Sequence, residues 1–377
     1  MPARRAVAAA TAAAAAIATV ALTAAPAASA RPAGPPVSYL SHFHRLTTIA
    51  STVPRNGDVN PYGVWIVRRS VGRLHRGNVL VSNFNDKANL QGTGRTIVQV
   101  TPNGHRTTFA SINRSKLPGP CPGGVGLTTA LVVLPGGWVV VGSTPSRNGN
   151  AATAKAGCLI VLNSMGQVAE TISGHGINGP WDSTVVTTGR SAALFVTNVL
   201  DGTVAANGKV VHRGRVQRLT LRLNRLGPPT LVRSTTIAST YSQRTDPNAF
   251  VIGPTGLGFG RHGILYVAST LPSRIFAIPN ALTRRTSAGS GIKITMGGRL
   301  NMPLGMAIAP NGDILTVNAS NGRIVETTPS GVQIFSRFLD RSGSPPGAGA
   351  LFGLAVLKGH GGVYYVDDAQ NTLRLLH

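Results

Sequence analysis

Acidic residues are the scarcest chemical group in this sequence. Its 377 residues include 11 Asp and Glu, of which two are Glu, against 36 Lys and Arg, so the formal net charge at pH 7 is +25. A field this positive attracts polyanions at low salt. Two interpretations stay open. One is a functional anionic partner, such as an extracellular polymer, a glycan or nucleic acid. The other is the codon bias of a GC-rich genome, which enriches Ala, Gly, Pro and Arg together.

Cysteine is nearly absent as well, since the chain contains only Cys121 and Cys158. A metal site built on this pair would lack partner ligands at a useful spacing. An even number of cysteines suits an oxidising compartment. We therefore predict one disulfide between Cys121 and Cys158.

Long apolar runs are missing after residue 30, so we expect no membrane insertion of the mature chain. The first 30 residues combine a basic start with Arg4 and Arg5, an Ala-rich apolar run and a small-residue cleavage site that ends at Ala30. We predict that residues 1–30 are a signal peptide and residues 31–40 a flexible leader. The mature protein is then secreted, to the extracellular or periplasmic space, and we expect a monomer.

Glycine and proline are abundant, with 46 Gly and 25 Pro, which favours many tight turns. One pattern occurs six times: an apolar strand with Gly, a turn, a second strand that ends near a valine, a polar loop and a third strand. The six valines are Val81, Val141, Val196, Val267, Val317 and Val366. Their spacing of about 50 to 70 residues matches a four-stranded propeller blade with its loops.

The fifth copy is the clearest. It contains apolar segments at 304–309, 314–317 and 323–327 and a fourth at 332–338. Asn311-Gly312 supplies the first turn, because Asn and Gly tolerate positive φ. The pattern predicts four strands per blade.

The sixth copy supplies only three strands before His377, and an open blade would expose an unpaired edge. The segment from Arg45 to Ala50 resembles the fourth strands of the other copies. We predict an all-β, six-bladed β-propeller at 41–377, closed by this N-terminal strand joining the C-terminal blade.

The repeat resembles the NHL-repeat, gluconolactonase-like and strictosidine-synthase-like six-bladed propellers over nearly the whole mature chain. The resemblance lies in Pro303-Leu304-Gly305-Met306, Asn311-Gly312-Asp313, Val317-Asn318, Gly322-Arg323-Ile324 and Tyr365-Val366-Asp367-Asp368 with Asn371. It implies the architecture but no single activity, because such propellers include binders, lactonases and lyases.

The loops between the second and third strands are long in the first three copies, at 82–95, 142–156 and 197–214. Long polar loops on one side of a fold indicate a binding surface. Polar and aromatic residues near the channel mouth on that face are the candidate ligand-binding residues: Tyr62, Asn83, Trp181, Asp182, Asn198, Asp246, Asn248, Asn318, Asp367 and Asp368. The alternative is that these side chains cap strand ends through backbone hydrogen bonds. Our first hypothesis is a non-catalytic binder of a ligand or anionic polymer, without a cofactor.

The alternative function is a metal-dependent hydrolase of the lactonase type, or a lyase, acting at the central channel. The resemblance implies a divalent metal held by a Glu, Asn residues and an Asp. Glu170 and Glu326 fall on outer strands, so Ca²⁺ bound by Asn83, Asn198 and Asp367 is the remaining arrangement. A lyase would need a His base near the channel, and the sequence offers His175.

Overall fold

The computed structural model describes residues 1–2, 37–359 and 361–377. The predicted signal peptide therefore lies almost wholly outside the described residues. In the unit Val37–His377, six antiparallel sheets follow one another around a ring, and the innermost strand of each contacts those of its neighbours. The predicted all-β, six-bladed propeller is confirmed.

Strand β1 (Leu46–Ser51) precedes the first blade. Blade I contains β2 (Val59–Ile66), β3 (Val79–Asn85), β4 (Thr96–Val100) and β5 (Arg106–Ser111). Blade II contains β6 (Leu127–Leu134), β7 (Trp138–Ser143), β8 (Cys158–Leu162) and β9 (Val168–Ile172). Blade III has a fifth strand and contains β10 (Pro180–Thr188), β11 (Ser191–Asn198), β12 (Val211–Arg222), β13 (Thr230–Asp246) and β14 (Phe250–Ile252).

Blade IV contains β15 (Pro254–Phe259), β16 (Leu265–Ser269), β17 (Arg274–Ile278) and β18 (Ile292–Met296). Blade V contains β19 (Pro303–Ile308), β20 (Ile314–Asn318), β21 (Arg323–Thr327) and β22 (Gln333–Phe338), and blade VI contains β23 (Leu351–Val356), β24 (Val363–Asp367), β25 (Thr372–Leu376) and β1. The helical segments are 3-10 turns at Leu40–His42, Arg114–Lys116, Pro135–Gly137, Ala151–Thr153 and Arg261–Gly263. Across the described residues, no helix has the length and apolarity needed to cross a membrane.

The ring closes as predicted, because β1 pairs antiparallel with β25. Leu46 lies opposite Leu376, and the amide of Arg45 donates to the carbonyl of His377 at 2.8 Å. Strand β25 thus has a partner on its outer side.

Residues just before β1 also belong to the propeller. The backbone amides of Tyr39 and Leu40 donate to the Glu326 carboxylate at 2.7 and 2.9 Å, and Leu40 is fully buried. The leader predicted for 31–40 therefore ends earlier, because Glu326, an internal carboxylate on β21, needs these donors once it is removed from water.

The predicted disulfide is confirmed. Cys121, in the crossover that precedes β6, is bonded to Cys158, the first residue of β8, with their Cα atoms 5.1 Å apart. The bond joins the crossover into blade II to the third strand of that blade.

The register between first and second strands repeats from blade to blade. The innermost-strand residues that pair with the end of the second strand are Pro61, Leu127, Pro180, Pro254, Pro303 and Leu351. Two residues further on, four blades carry a glycine, at Gly63, Gly256, Gly305 and Gly353. A Cβ on Gly305 would collide with the carbonyl of Phe352 in the next blade, so glycine allows the innermost strands to approach closely.

Candidate functional site

The central channel contains a cavity of about 660 Å³. Its walls are the second halves of the innermost strands, and the turns after β2 and β23 also line it, through residues such as Arg68, Arg76 and Lys358. The cavity therefore opens on the face that carries the turns between first and second strands. We call this the hairpin face; its turns are at 67–78, 135–137, 189–190, 260–264, 309–313 and 357–359. The opposite face, with the crossovers and the loops between second and third strands, is the loop face.

An aromatic plug closes the channel on the loop face. It consists of Tyr62, Phe84, Trp181, Phe250 and Phe352. The ring of Tyr62 stacks on Phe84 and Phe352, with centroids 4.5 and 4.1 Å apart, and lies 5.8 Å from Trp181. The cavity among these side chains is only about 10 Å³. The plug thus forms the floor of the channel, and two of the predicted ligand-binding residues, Tyr62 and Trp181, are packed within it.

Asp182 lies next to the plug but lines the open cavity. It occupies the position where four other blades have glycine. The amides of Ser183 and Leu257 donate to its two carboxylate oxygens at 2.8 and 2.9 Å, so it also links blade III to blade IV. The side chain is 6% exposed, and burial raises the pKa of its carboxyl to about 7, although both hydrogen bonds act in the opposite direction.

This arrangement can support acid–base chemistry. A carboxyl whose pKa lies near 7 is present in both protonation states at neutral pH, which suits proton transfer. The surrounding walls are apolar and contain Val64, Leu131, Leu257, Met306 and Leu354, with Thr129 and Ser183 as further polar groups. Such a pocket, with few polar groups in an apolar wall, is typical of small-molecule sites.

Four other predicted ligand-binding residues make polar contacts within their own blades. Asn83 and Asn318 are fully buried at the ends of β3 and β20. Their amide groups donate to the carbonyls of Thr52 and Arg299, at 3.0 and 2.8 Å, in the crossovers that precede the same blades. Each side chain thereby ties a second strand to the chain entering that blade.

Asn198 and Asp367 occupy the corresponding positions in blades III and VI. The Asn198 side-chain oxygen accepts from the amide of Asn178 at 3.1 Å. Asp367 forms an ion pair with Arg374 at 2.9 Å and accepts from the amide of Gln370 at 3.3 Å. Their oxygens are therefore already engaged with neighbouring protein groups.

Three predicted residues lie on the loop face outside this pattern. The Asp246 carboxylate accepts from the amide of Asn248 at 3.0 Å and pairs with Arg244, so these residues form a turn. Asp368 is half-buried; burial and the charge of Asp367 raise its pKa to about 7. Burial raises the pKa of the Tyr62 phenol, and the negative charge of Asp368 raises it further. Tyr62 is therefore close to both Trp181 and Asp368.

The residues present do not fit the divalent metal that the resemblance implies. At the loop-face end of the innermost strands, the side chains are Tyr62, Thr128, Trp181, Thr255, Leu304 and Phe352, which include no carboxylate or amide. The neighbouring Asp182 carboxylate already accepts from two backbone amides. Of Asn83, Asn198 and Asp367, only Asn83 has an uncommitted oxygen. Within the described parts of the chain, no three His, Cys, Asp or Glu side chains form a group that could hold a metal ion.

The remaining catalytic candidates lie away from the cavity. Glu170 is on β9, an outer strand, and Glu326 binds the segment before β1. His175 is exposed in the crossover into blade III, and its carbonyl accepts from Ser234 at 2.6 Å. None of these three lines the channel cavity among the residues that the structure describes.

The sequence alone does not single out Arg68, Arg76 or Lys358, which line the cavity at the hairpin face. These residues lie in turns whose sequences are not repeated from blade to blade. Asp182 did have a signal beyond its polarity: Pro180-Trp181-Asp182 interrupts the Pro-x-Gly pattern of three other blades.

Comparison with known proteins supports the fold. No protein-family model matches the chain, and no curated protein sequence matches it. A gluconolactonase from Xanthomonas campestris superposes with a TM-score of 0.56 at 14% identity, covering 88% of this chain and 89% of that one. A calcium-binding regucalcin from Agrobacterium tumefaciens gives 0.50 at 12% identity, with 87% and 93% covered. A PQQ-bound aldose sugar dehydrogenase from Streptomyces coelicolor gives 0.50 at 14%, with 88% and 98% covered. At these identities the likeness establishes a shared propeller fold.

Proposed function

We propose that this chain binds a small molecule in the channel that opens on the hairpin face and acts on it as a hydrolase or a lyase. In this proposal the Asp182 carboxyl exchanges a proton with the bound molecule. The observation that carries it is a single buried carboxyl, with its pKa raised to about 7, on the wall of a 660 Å³ cavity. The gluconolactonase among the similar structures is consistent with hydrolytic chemistry in a propeller channel.

The geometry favours the channel over the loop face. The long loops of the first three blades are present, but the plug leaves a cavity of only about 10 Å³ at the axis beneath them. The channel, in contrast, has space for a ligand. Its apolar walls would exclude water from the Asp182 carboxyl once a ligand is bound.

In this mechanism Asp182 acts as a base when ionised and as an acid when protonated. The amides of Ser183 and Leu257 fix the orientation of the carboxylate, so little reorganisation accompanies proton transfer. We assign no step to a metal, because the donor set does not fit one. Metal analysis of the purified protein tests the calcium alternative directly.

Replacing Asp182 by Asn is expected to lower kcat/KM about 100-fold or more on any ester or lactone that the wild type hydrolyses, since general acid–base catalysis contributes on this scale. The wild-type rate should also change with pH near 7. The matched control is Asp86→Asn, because the Asp86 carboxylate likewise accepts from two backbone amides, of Ala88 and Leu90, but lies in a loop. Equal activity of the two variants would overturn the assignment.

The same variant has an expected effect on stability. Folding raises the Asp182 pKa from 3.8 to about 7, so the folded state binds the proton more tightly and the free energy of unfolding falls as pH rises from 4 to 7. The shift of about 3 pKa units corresponds to roughly 4 kcal/mol. Asp182→Asn should reduce this slope in urea denaturation series, and an unchanged slope would contradict the raised pKa. A part of the slope remains in the variant, because Asp313 and Asp368 have pKa values raised to about 6 and about 7.

Export also remains a proposal. The first 30 residues predict a signal peptide, and the Cys121–Cys158 disulfide supports an oxidising compartment. The mass of the exported protein should correspond to a chain that begins near Arg31. A full-length mass in the culture medium would contradict this cleavage site.

A further inference from the structure

The acidic residues of the propeller are distributed unequally between its two faces. The turns of the hairpin face carry exposed cations: Arg68, Arg69, Arg76, Arg190, Arg261 and Lys358. Most acidic residues lie at the loop face, on strand ends, loops and crossovers: Asp58, Asp86, Asp201, Asp246, Asp340, Asp367 and Asp368. Asp313 and Glu326 are near the hairpin face but are buried. The exposed cations around the open mouth of the channel therefore have few acidic neighbours.

The ion pairs also distinguish the two faces of the propeller. The four ion pairs found in the described part of the chain join Arg215 to Asp201, Arg244 to Asp246, and Arg374 to both Asp340 and Asp367. All four lie on the loop face. Within 37–359 and 361–377, no ion pair engages the cations of the channel mouth, so their charge is available to a ligand.

Three of these cations form a rim on the cavity itself. Arg68, Arg76 and Lys358 line it where it meets solvent, and the Arg68 guanidinium lies 5.8 Å from the centre of the Trp65 ring. Below the rim the side chains of the wall are mostly apolar, with Asp182 and a few hydroxyl groups as the polar ones. A site that is cationic at its mouth and apolar within matches a molecule with one charged end.

We propose that the channel takes an amphipathic organic anion. Its apolar body lies against Val64, Leu131, Leu257, Met306 and Leu354, and its carboxylate, sulfonate or phosphate group is held by the rim formed by Arg68, Arg76 and Lys358. Guanidinium groups bind such oxyanions in bidentate geometry, and the positive field of the hairpin face draws them to the mouth. This inference rests on the proposed function only in placing the ligand in this channel.

Two fluorescent probes that share one apolar body test the rim. 8-Anilinonaphthalene-1-sulfonate is anionic, and N-phenyl-1-naphthylamine is its neutral counterpart. In the triple variant R68Q/R76Q/K358Q, the Kd of the anionic probe is expected to rise tenfold or more, because charge-assisted hydrogen bonds are lost. The Kd of the neutral probe should stay within about twofold.

The matched control is R147Q/K155Q/R213Q, which removes the same charge from exposed positions at the loop face. It should leave both Kd values nearly unchanged, and thermal unfolding verifies that both triple variants are folded. If the rim variant binds both probes like the wild type, or loses both equally, the inference is wrong. A rim variant that loses heparin binding but keeps the anionic probe would also overturn it, since the rim would then serve a polymer.

Failure of the proposed function gives a different result. If neither probe binds wild-type protein at one site per chain, the channel is not a small-molecule site, and both proposals fall. If the neutral probe binds and the rim has no effect on the anionic one, the channel remains the site and only the anionic class is wrong.

Discussion

Deleting residues 37–51 is expected to abolish cooperative unfolding of the propeller. The deletion removes β1, so β25 becomes an exposed edge. It also removes Tyr39, Leu40 and Phe43 from the apolar cluster between blades V and VI. Glu326 would be left buried without the amides of Tyr39 and Leu40, and an unpaired buried charge is costly.

The experiment compares this deletion with a chain that begins at Val37. We expect the longer chain to show a single sigmoidal transition in urea, followed by circular dichroism, and the deleted chain to show a non-cooperative change or to aggregate. A deleted chain with the same transition midpoint would show that the ring does not depend on β1.

Replacing both cysteines by serine is expected to lower the free energy of unfolding by about 4 kcal/mol. The Cys121–Cys158 bond closes a loop with a sequence separation of 37 residues, and the chain-entropy relation gives this magnitude. Cys158 is fully buried in the core of blade II, so the substitution also places a hydroxyl in apolar surroundings.

Guanidinium denaturation of the Cys121→Ser/Cys158→Ser variant measures this loss. Reduced wild-type protein is the matched control, because it lacks the bond but keeps the cysteines. Both should unfold at lower denaturant concentration than the oxidised protein. A difference below about 1 kcal/mol would mean that the unfolded chain is not appreciably restrained by the bond.

Most of the fold could be predicted because its signals are local and repeated. A glycine-containing turn between the first and second strands and the valine before each polar loop recur from blade to blade. The strand that completes blade VI is the one apolar segment before the first repeat that the repeat pattern leaves unassigned. The fifth strand of blade III and the length of β13 could not be predicted in this way, since no other blade repeats them.

The candidate site was harder to predict because the residues that close the channel and line its cavity are distant from one another in the sequence. Tyr62, Trp181 and Phe352 meet from three blades to close one end of the channel. Trp181 and Asp182 are adjacent, but successive side chains of a strand point in different directions, so one fills the plug and the other lines the cavity. The sequence alone predicts Trp181 and Asp182 on the same face, the loop face. Their separation appears only when the six innermost strands are assembled.

The pairing of β1 with β25 also determines when, during synthesis, the ring of blades can close. β1 precedes the blades in the sequence and β25 follows them, so β1 has no partner until β25 has been synthesised. Blades I to V pair strands that are close in sequence and can form in turn, whereas the pairing of β1 with β25 is among the most non-local in the fold. Ring closure therefore follows the synthesis of β25, and a product that terminates before β25 is a row of blades with both ends open.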